Sequence, residues 1–377
     1  MTTKRILKVH NKSSKPDNVV SKENQVVNRS MEIENELPEF LIDFFIYLRN
    51  AVSATSRLAY LMDIKFFMKY LVEHTKLTDA SEINEITVDD FKKIKARDVN
   101  RFLGDFCARY FIESESTTYV MENHNRSLSR KKSSLSVMFK FLFRDEVLPI
   151  NITDGFNPIK LPKPQPDAIK KLDVDEVKIM LEAVSTGSGL TEKEQVYWNK
   201  TKLRDKAILM LFTTYGLRLK ELQQLNIDSF NFNRNEFMIY RKRGKEVLMP
   251  LNNTVKNAVI EYINNERPKD SQLEDSIKNA LFLSLQNTRL TEKAIRKLVK
   301  KYTSIALGTT RSNGYSPHKL RATAASSLIE YGFSIYDVQN LLDHDNVTTT
   351  QLYAAHKKNV KKDIVDNYEL EEGKKSD

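Results

Sequence analysis

Residues 343 to 356, DHDNVTTTQLYAAH, place His344 and Tyr353 nine positions apart near the end of a basic chain. A phenol is a nucleophile when something stabilises the charge it creates, so the question is what else stands upstream. YGLRLKEL carries Arg218 with Glu221 three residues on, a spacing that puts both on one helix face. YRKRGKE crowds Arg241, Lys242, Arg243 and Lys245 into one turn. SPHKLRATAASSLIEYGF begins with a capping Ser316 and a first-turn Pro317, which places His318 near a helix N-terminus and Arg321 on the same face. SIYDVQNLLDH reads as a capped helix delivering His344 at its end. Taken singly, each segment has a plain reading: a surface ion pair, a solvated loop, a packing tyrosine.

Together they point to one chemistry. Metal-dependent phosphodiester cleavage needs several carboxylates around the cation. Only Asp343 and Asp345 lie near the histidines, among arginines and lysines that repel a cation. No metal and no cofactor are expected. Two guanidiniums can instead clamp the non-bridging oxygens of a phosphodiester as charge grows on them. A tyrosine nucleophile then splits the exchange into two reversible steps, with a lysine or histidine supplying the proton for the expelled hydroxyl. The set implies covalent phosphoryl transfer without metal or nucleotide.

Composition agrees with a polyanionic partner. The 377 residues contain 60 Lys plus Arg against 50 Asp plus Glu, a formal charge of +10. Such an excess favours nucleic acid through counterion release. Cys107 is the single cysteine, in the apolar stretch FLGDFCARY, so disulfides and cysteine-based zinc sites are excluded and packing is its expected role. No apolar run reaches the length of a membrane span. The N-terminus lacks the apolar stretch of a signal peptide. A cytoplasmic, nucleoid-associated protein without membrane contact is expected.

The elements that must position these residues fall into blocks. Residues 1–36 are polar and mixed in charge and read as a flexible leader. Residues 37–155 carry helical periodicity, with Leu58, Leu61, Ile64, Phe67, Met68 and Leu71 on one face, and read as a bundle of four or five helices. In its last helix Leu135, Met138, Phe139 and Leu142 form the apolar face, and Arg130, Lys131 and Lys132 are expected to touch phosphates. Residues 156–172, FNPIKLPKPQPDAIKKL, form a Pro- and Lys-rich extended linker. Residues 173–368 are mostly helical but contain a β-hairpin, EFMIY and EVLMPL around RKRGK, whose Arg241, Arg243 and Lys245 are expected to contact DNA. Residues 369–377 are a polar tail.

With Arg218, Lys242, His318, Arg321, His344 and Tyr353 in this order, the chain resembles the tyrosine recombinase (phage-integrase) family over about residues 40 to 368. YGLRLKEL resembles its first-arginine motif, HKLR its His-x-x-Arg motif, and LLDHDNVTTTQLYAAH the segment joining the second histidine to the tyrosine. The resemblance implies a mainly α fold with a small antiparallel β-sheet in the C-terminal domain, arranged as a two-domain C-shaped DNA clamp. It implies a core-binding (SAM-like) domain over 37–155 and a catalytic domain over 173–368. Arg218 and Arg321 would bind the scissile phosphate, and Tyr353 would attack it to give a 3′-phosphotyrosine. Lys242 would be the general acid for the 5′-hydroxyl, with Lys245 as the fallback. His318 would be an acid/base, His344 a phosphate ligand and Glu221 the support of the first arginine. One departure stands out: family members carry Gly immediately before the second histidine, where this chain has Asp343. An acid there either points outward or weakens activity.

The implied partners are double-stranded DNA with an inverted-repeat core site, bound by a homodimer, a homotetramer in the synapse, and room for an accessory protein. VKKDIVDNYEL, with Val360, Ile364, Val365 and Tyr368 on one face, resembles the helix that members dock on a neighbouring subunit. Length and the YWNKTKLRDKAILML lead-in resemble single-recombinase Xer enzymes that resolve chromosome dimers, ahead of integrases or excisionases of mobile elements. A type IB topoisomerase, a DNA-binding protein without catalysis and a metal-dependent nuclease are the rival readings.

Overall fold

A computed structural model describes residues 15–114, 117–161, 170–241 and 245–343. The chain divides into two compact units, Met1–Lys163 and Pro164–Asp377.

The first unit contains α1 (Asp17–Asn35), α2 (Ile42–Ala51), α3 (Ala54–His74), α4 (Val88–Lys93), α5 (Ala96–Arg101), a hairpin of β1 (Arg109–Ser114) and β2 (Thr117–Glu122), and α6 (Asn125–Arg144). Its core is built as the periodicity requires. Leu61, Ile64, Phe67, Met68 and Leu71 of α3 and Leu135, Met138, Phe139 and Leu142 of α6 are all buried. Cys107 is buried with them, and loss of water pushes its thiol up to about 12, so it packs rather than reacts.

Three expectations are corrected here. Most of the described part of the leader is helix, not flexible chain. Val19, Val26 and Ile33 recur every two turns, and Val19 and Ile33 are buried. At the end of α1 the buried Glu34 carboxylate accepts from Arg57 Nε at 2.8 Å and from Arg49 Nη2 at 2.9 Å, which pins α1 to α2 and α3. Secondly, the unit is not all helical. RYFIES and TTYVME are rich in aromatic and β-branched residues, which suit a pleated ribbon, and they pair antiparallel from Arg109↔Glu122 to Ser114↔Thr117. Tyr110 roots the ribbon on Phe66, with ring centroids 5.1 Å apart.

Thirdly, Lys131 does not face outward. Its side chain is buried, with Nζ 3.1 Å from Asp63 Oδ1 and 4.7 Å from the centroid of the Phe66 ring. The Asp63 carboxylate also accepts from Ser134 Oγ at 2.8 Å and from Arg130 Nη1. Helical spacing explains the error: Lys131, Ser134 and Leu135 follow one another at three and four residues on the buried face, where a lysine is tolerated only with a carboxylate opposite. Lys132 lies on the neighbouring face and donates to the Asn157 carbonyl at 2.8 Å.

The second unit holds α7 (Val174–Thr186), α8 (Glu192–Trp198), α9 (Lys202–Tyr215), α10 (Leu219–Gln223), β3 (Phe230–Asn231), β4 (Glu236–Tyr240), β5 (Glu246–Pro250), α11 (Asn253–Asn265), α12 (Glu292–Ala306), α13 (Pro317–Glu330) and α14 (Ile335–Leu342). The fold is mainly α with small antiparallel sheets. The strand order is β3-β4-β5, with β4 and β5 paired from Glu236↔Pro250 to Tyr240↔Glu246, as the hairpin pattern requires. Apolar α9 is the central helix, burying Ile208, Leu211 and Phe212 and packing against α7, α11 and α13. No helix among the described residues is long and apolar enough to cross a membrane.

The Asp63 cluster yields a stability prediction. Removing one partner of a buried ion pair strands the other charge, at about 3–5 kcal/mol. Asp63→Ala is therefore expected to lower the unfolding free energy by about that amount in a urea titration. A loss below about 1 kcal/mol, the range of exposed pairs, contradicts the cluster.

Candidate active site

Helix α14 organises the site. Ser334 caps it, accepting from the Asp337 backbone N–H at 3.1 Å, and Val338 and Leu342 bury its apolar side. Its last carbonyls have no partner within the helix and carry the negative end of its dipole. Three arginines from three different elements supply the missing donors. Arg241 Nη2 donates to the Leu341 carbonyl at 2.6 Å, Arg321 Nη2 to that of Leu342, and Arg218 Nη2 to that of Asp343 at 2.9 Å. Three successive carbonyls thus hold three guanidiniums around the residue that precedes His344.

Each arginine has its own support. Arg218 stands at the N-terminus of α10, where buried Glu221 accepts from its backbone N–H and from Nη1, both at 2.8 Å. The helix-face pairing expected from the sequence is thus a reciprocal clamp. Arg321, on α13, is 3% exposed, and its Nη1 donates to the Gly216 carbonyl at 2.6 Å. Gly216 ends α9 at φ 56°, and a Cβ there would meet Leu342 Cδ2 at 2.6 Å, so glycine is required by both backbone and space.

Arg241 corrects the sequence reading. It is not an outward DNA contact but 6% exposed, behind the end of α14. Burial is the main force lowering its pKa, opposed by Glu221 and Asp343. Its Nε has no hydrogen-bond partner among the described residues. Strand alternation contains the signal: Phe237 and Ile239 point inward, so the next residue of that parity is Arg241. Lys245, at the start of the return strand, does project outward, and its Nζ lies 2.7 Å from Asp343 Oδ1.

Asp343 is the second residue whose role the sequence did not reveal. It ends α14 in the left-handed region at φ 53°, where glycine is commonest and short polar side chains are tolerated. Its carboxylate faces Lys245 and, at 3.7 Å, Arg241 Nη1. The Lys245 hydrogen bond is the main cause of a pKa below the usual aspartate range. It points into the cationic set, not away from it.

His318 sits in the first turn of α13 with an exposed side chain. Packing around its base withdraws water and is the largest influence lowering its pKa, with Lys319 and Arg321 adding like charge. These influences favour the neutral imidazole, the form that can accept a proton. Lys242, Arg243, His344 and Tyr353 lie outside the described residues, as does the segment 360–368. Among the described residues, no group of three or more His, Cys, Asp or Glu could hold a metal ion. Converging guanidiniums can hold a phosphodiester, and an imidazole can take a proton.

Comparisons with known proteins bear on the family and the fold. The sequence profile described as "Phage integrase family" matches residues 170–360. Tyrosine recombinase XerC of Shewanella sp. (strain ANA-3) is 31% identical over 230 residues, 61% of this chain and 69% of that protein. Tyrosine recombinase XerD of Oceanobacillus iheyensis is 27% identical over 331 residues, 86% of this chain and 96% of that protein. In fold, the chain is similar to the XerH site-specific recombinase bound to palindromic difH substrate in a post-cleavage complex. The TM-score is 0.61 at 17% identity, covering 96% of this chain and 92% of that one.

The environment of His318 predicts a pH dependence. A folded pKa below the unfolded value of about 6.5 means that the folded state binds fewer protons. The associated stability is present above that value and lost as pH falls through it toward the folded pKa. An NMR titration of the His318 ring is expected to give a midpoint below the ordinary imidazole value. A midpoint at or above it contradicts the site's cationic crowding.

Proposed function

This chain belongs to the phage integrase family and is a site-specific tyrosine recombinase, and from that premise we propose a role for each residue of the site. Arg218 and Arg321 bind the scissile phosphate and offset the charge that grows on its non-bridging oxygens. The Tyr353 oxygen attacks phosphorus, the bond from phosphorus to the 5′-oxygen breaks, and a 3′-phosphotyrosine remains. Lys242 gives its proton to the departing 5′-oxygen. His318 exchanges a proton near the tyrosine, and His344 hydrogen-bonds the phosphate. Rejoining runs the same steps in reverse from a new 5′-hydroxyl.

The single observation that supports this reading best is the convergence of Arg218 and Arg321 on consecutive carbonyls immediately before His344. Two arginines far apart in sequence are held beside the one segment that carries the second histidine and the tyrosine.

The substrate in this reading is double-stranded DNA with an inverted-repeat core site, bound by two copies and synapsed by four. The basic balance of +10 supports a polyanionic partner. In the first unit, phosphate contact falls to the outward face of α6, where Lys132 and Lys140 line a depression with Ser129, Ser133 and Ser136. Arg130, part exposed beside Asp63, stands at the margin of that face. Dimer resolution of the Xer type is the preferred physiological reaction, since XerD of Oceanobacillus iheyensis aligns along 96% of its length. Integration or excision of a mobile element uses the same site.

The test uses nicked duplexes made from fragments of the source genome, incubated in EDTA, with denaturant-stable protein–DNA adducts measured. The parent is expected to form an adduct. Arg321→Ala should slow its formation by about 10²–10³-fold, the usual loss for one preorganised oxyanion donor. An adduct that requires a divalent metal contradicts the mechanism. Relaxation of any supercoiled plasmid by the monomer would favour a topoisomerase instead.

A further inference from the structure

We propose that Asp343 is a positioning residue for the leaving-group proton transfer. Its carboxylate fixes the two ends of the cationic segment that contains Lys242. This inference rests on the role proposed above for Lys242, and it concerns an acid at the position where the family resemblance leads one to expect glycine.

The geometry that carries it lies entirely in described residues. Arg241 and Lys245 are the two ends of the segment, joined through the Arg241 N–H and the Lys245 carbonyl at 2.8 Å. Asp343 reaches both side chains, Lys245 Nζ at 2.7 Å and Arg241 Nη1 at 3.7 Å, one carboxylate oxygen to each. Its own backbone is fixed in turn, because its carbonyl accepts from Arg218 and it closes α14. A chain of contacts therefore runs from the phosphate-binding arginine, through Asp343, to both ends of the segment that holds the general acid.

Charge explains why such a tether is needed. Arg241, Lys242, Arg243 and Lys245 lie within five consecutive positions, and the end of α14 adds Arg218 and Arg321. Like charges crowded together at a partly buried surface repel one another. The Asp343 carboxylate places one negative charge between the two described ends of this run, Arg241 and Lys245. Glu221 also offsets the charge of Arg241, but both its oxygens accept from Arg218, and the carboxylate paired with Lys245 is that of Asp343. Asp343 is the remaining carboxylate in contact with this set among the described residues.

The residue acts through Lys242, so its loss should register as a failure to protonate the leaving oxygen. Cleavage is measured on the fragment recovered in the adduct experiment, made as a nicked duplex with either oxygen or sulfur at the 5′-bridging position. A thiolate leaves without a proton, so the sulfur substrate bypasses the general acid. Asn tolerates the left-handed backbone, so Asp343→Asn keeps the helix end while removing the charge. It is expected to cleave the oxygen substrate at least about tenfold more slowly than the parent, and the sulfur substrate at close to the parent's rate. Lys245→Met should give the same signature more weakly. Equal slowing on both substrates, or no slowing on either, overturns the inference. A parent protein that forms no adduct on any fragment overturns the proposed function itself, a result distinct from either.

Discussion

Three guanidiniums bound to three successive carbonyls at the end of α14 are the interaction around which the second unit's candidate site is built. A helix C-terminus leaves acceptors unpaired, and buried arginines need acceptors, so each solves the other's problem. The arrangement also fixes geometry. Arg241 comes from the sheet, Arg321 from α13 and Arg218 from the start of α10. None can shift without stranding a carbonyl or a cation. Asp343, which follows the helix, is therefore held at a point defined by the domain core.

That dependence shows how the fold serves function. α9 supplies the apolar centre, and Gly216 at its end lets Arg321 and Leu342 approach closely. Glu221 holds Arg218 from both backbone and side chain. Asp343 then links this fixed set to the hairpin. Electrostatic preorganisation of this kind is effective because the donors need not reorganise as charge develops on the substrate.

Much of this was legible in the sequence because it is periodic or local. The two core helices of the first unit, the β4–β5 hairpin and the Arg218–Glu221 and His318–Arg321 pairs all follow from spacing within one or two turns. What escaped depends on partners distant in sequence. Lys131 looks like a phosphate contact until Asp63, 68 residues away, is seen opposite it. Arg241 looks like a surface cation until the end of α14, 100 residues on, takes its proton donors. Glu34 looks like part of a polar leader until Arg57 reaches it. In each case a charge is spent inside the protein, so the basic composition overstates what remains for DNA. The β1–β2 ribbon was missed for another reason. It follows directly on a helical stretch, and its strands lack a polar–apolar alternation.

The central claim is that the arginine-bound helix end exists to present one particular tyrosine to a phosphate. The most direct measurement is the identity of the residue joined to DNA. Adduct trapped on a nicked duplex is digested with trypsin and nuclease, and the nucleotide-bearing peptide is fragmented by mass spectrometry. Residues 322–357 form one tryptic peptide with three tyrosines, Tyr331, Tyr336 and Tyr353. The first two are the more tempting chemically indifferent targets, being 85% and 69% exposed on the described surface. The account predicts the nucleotide on Tyr353 alone. A nucleotide on Tyr331 or Tyr336, or on a serine elsewhere in the chain, would contradict it.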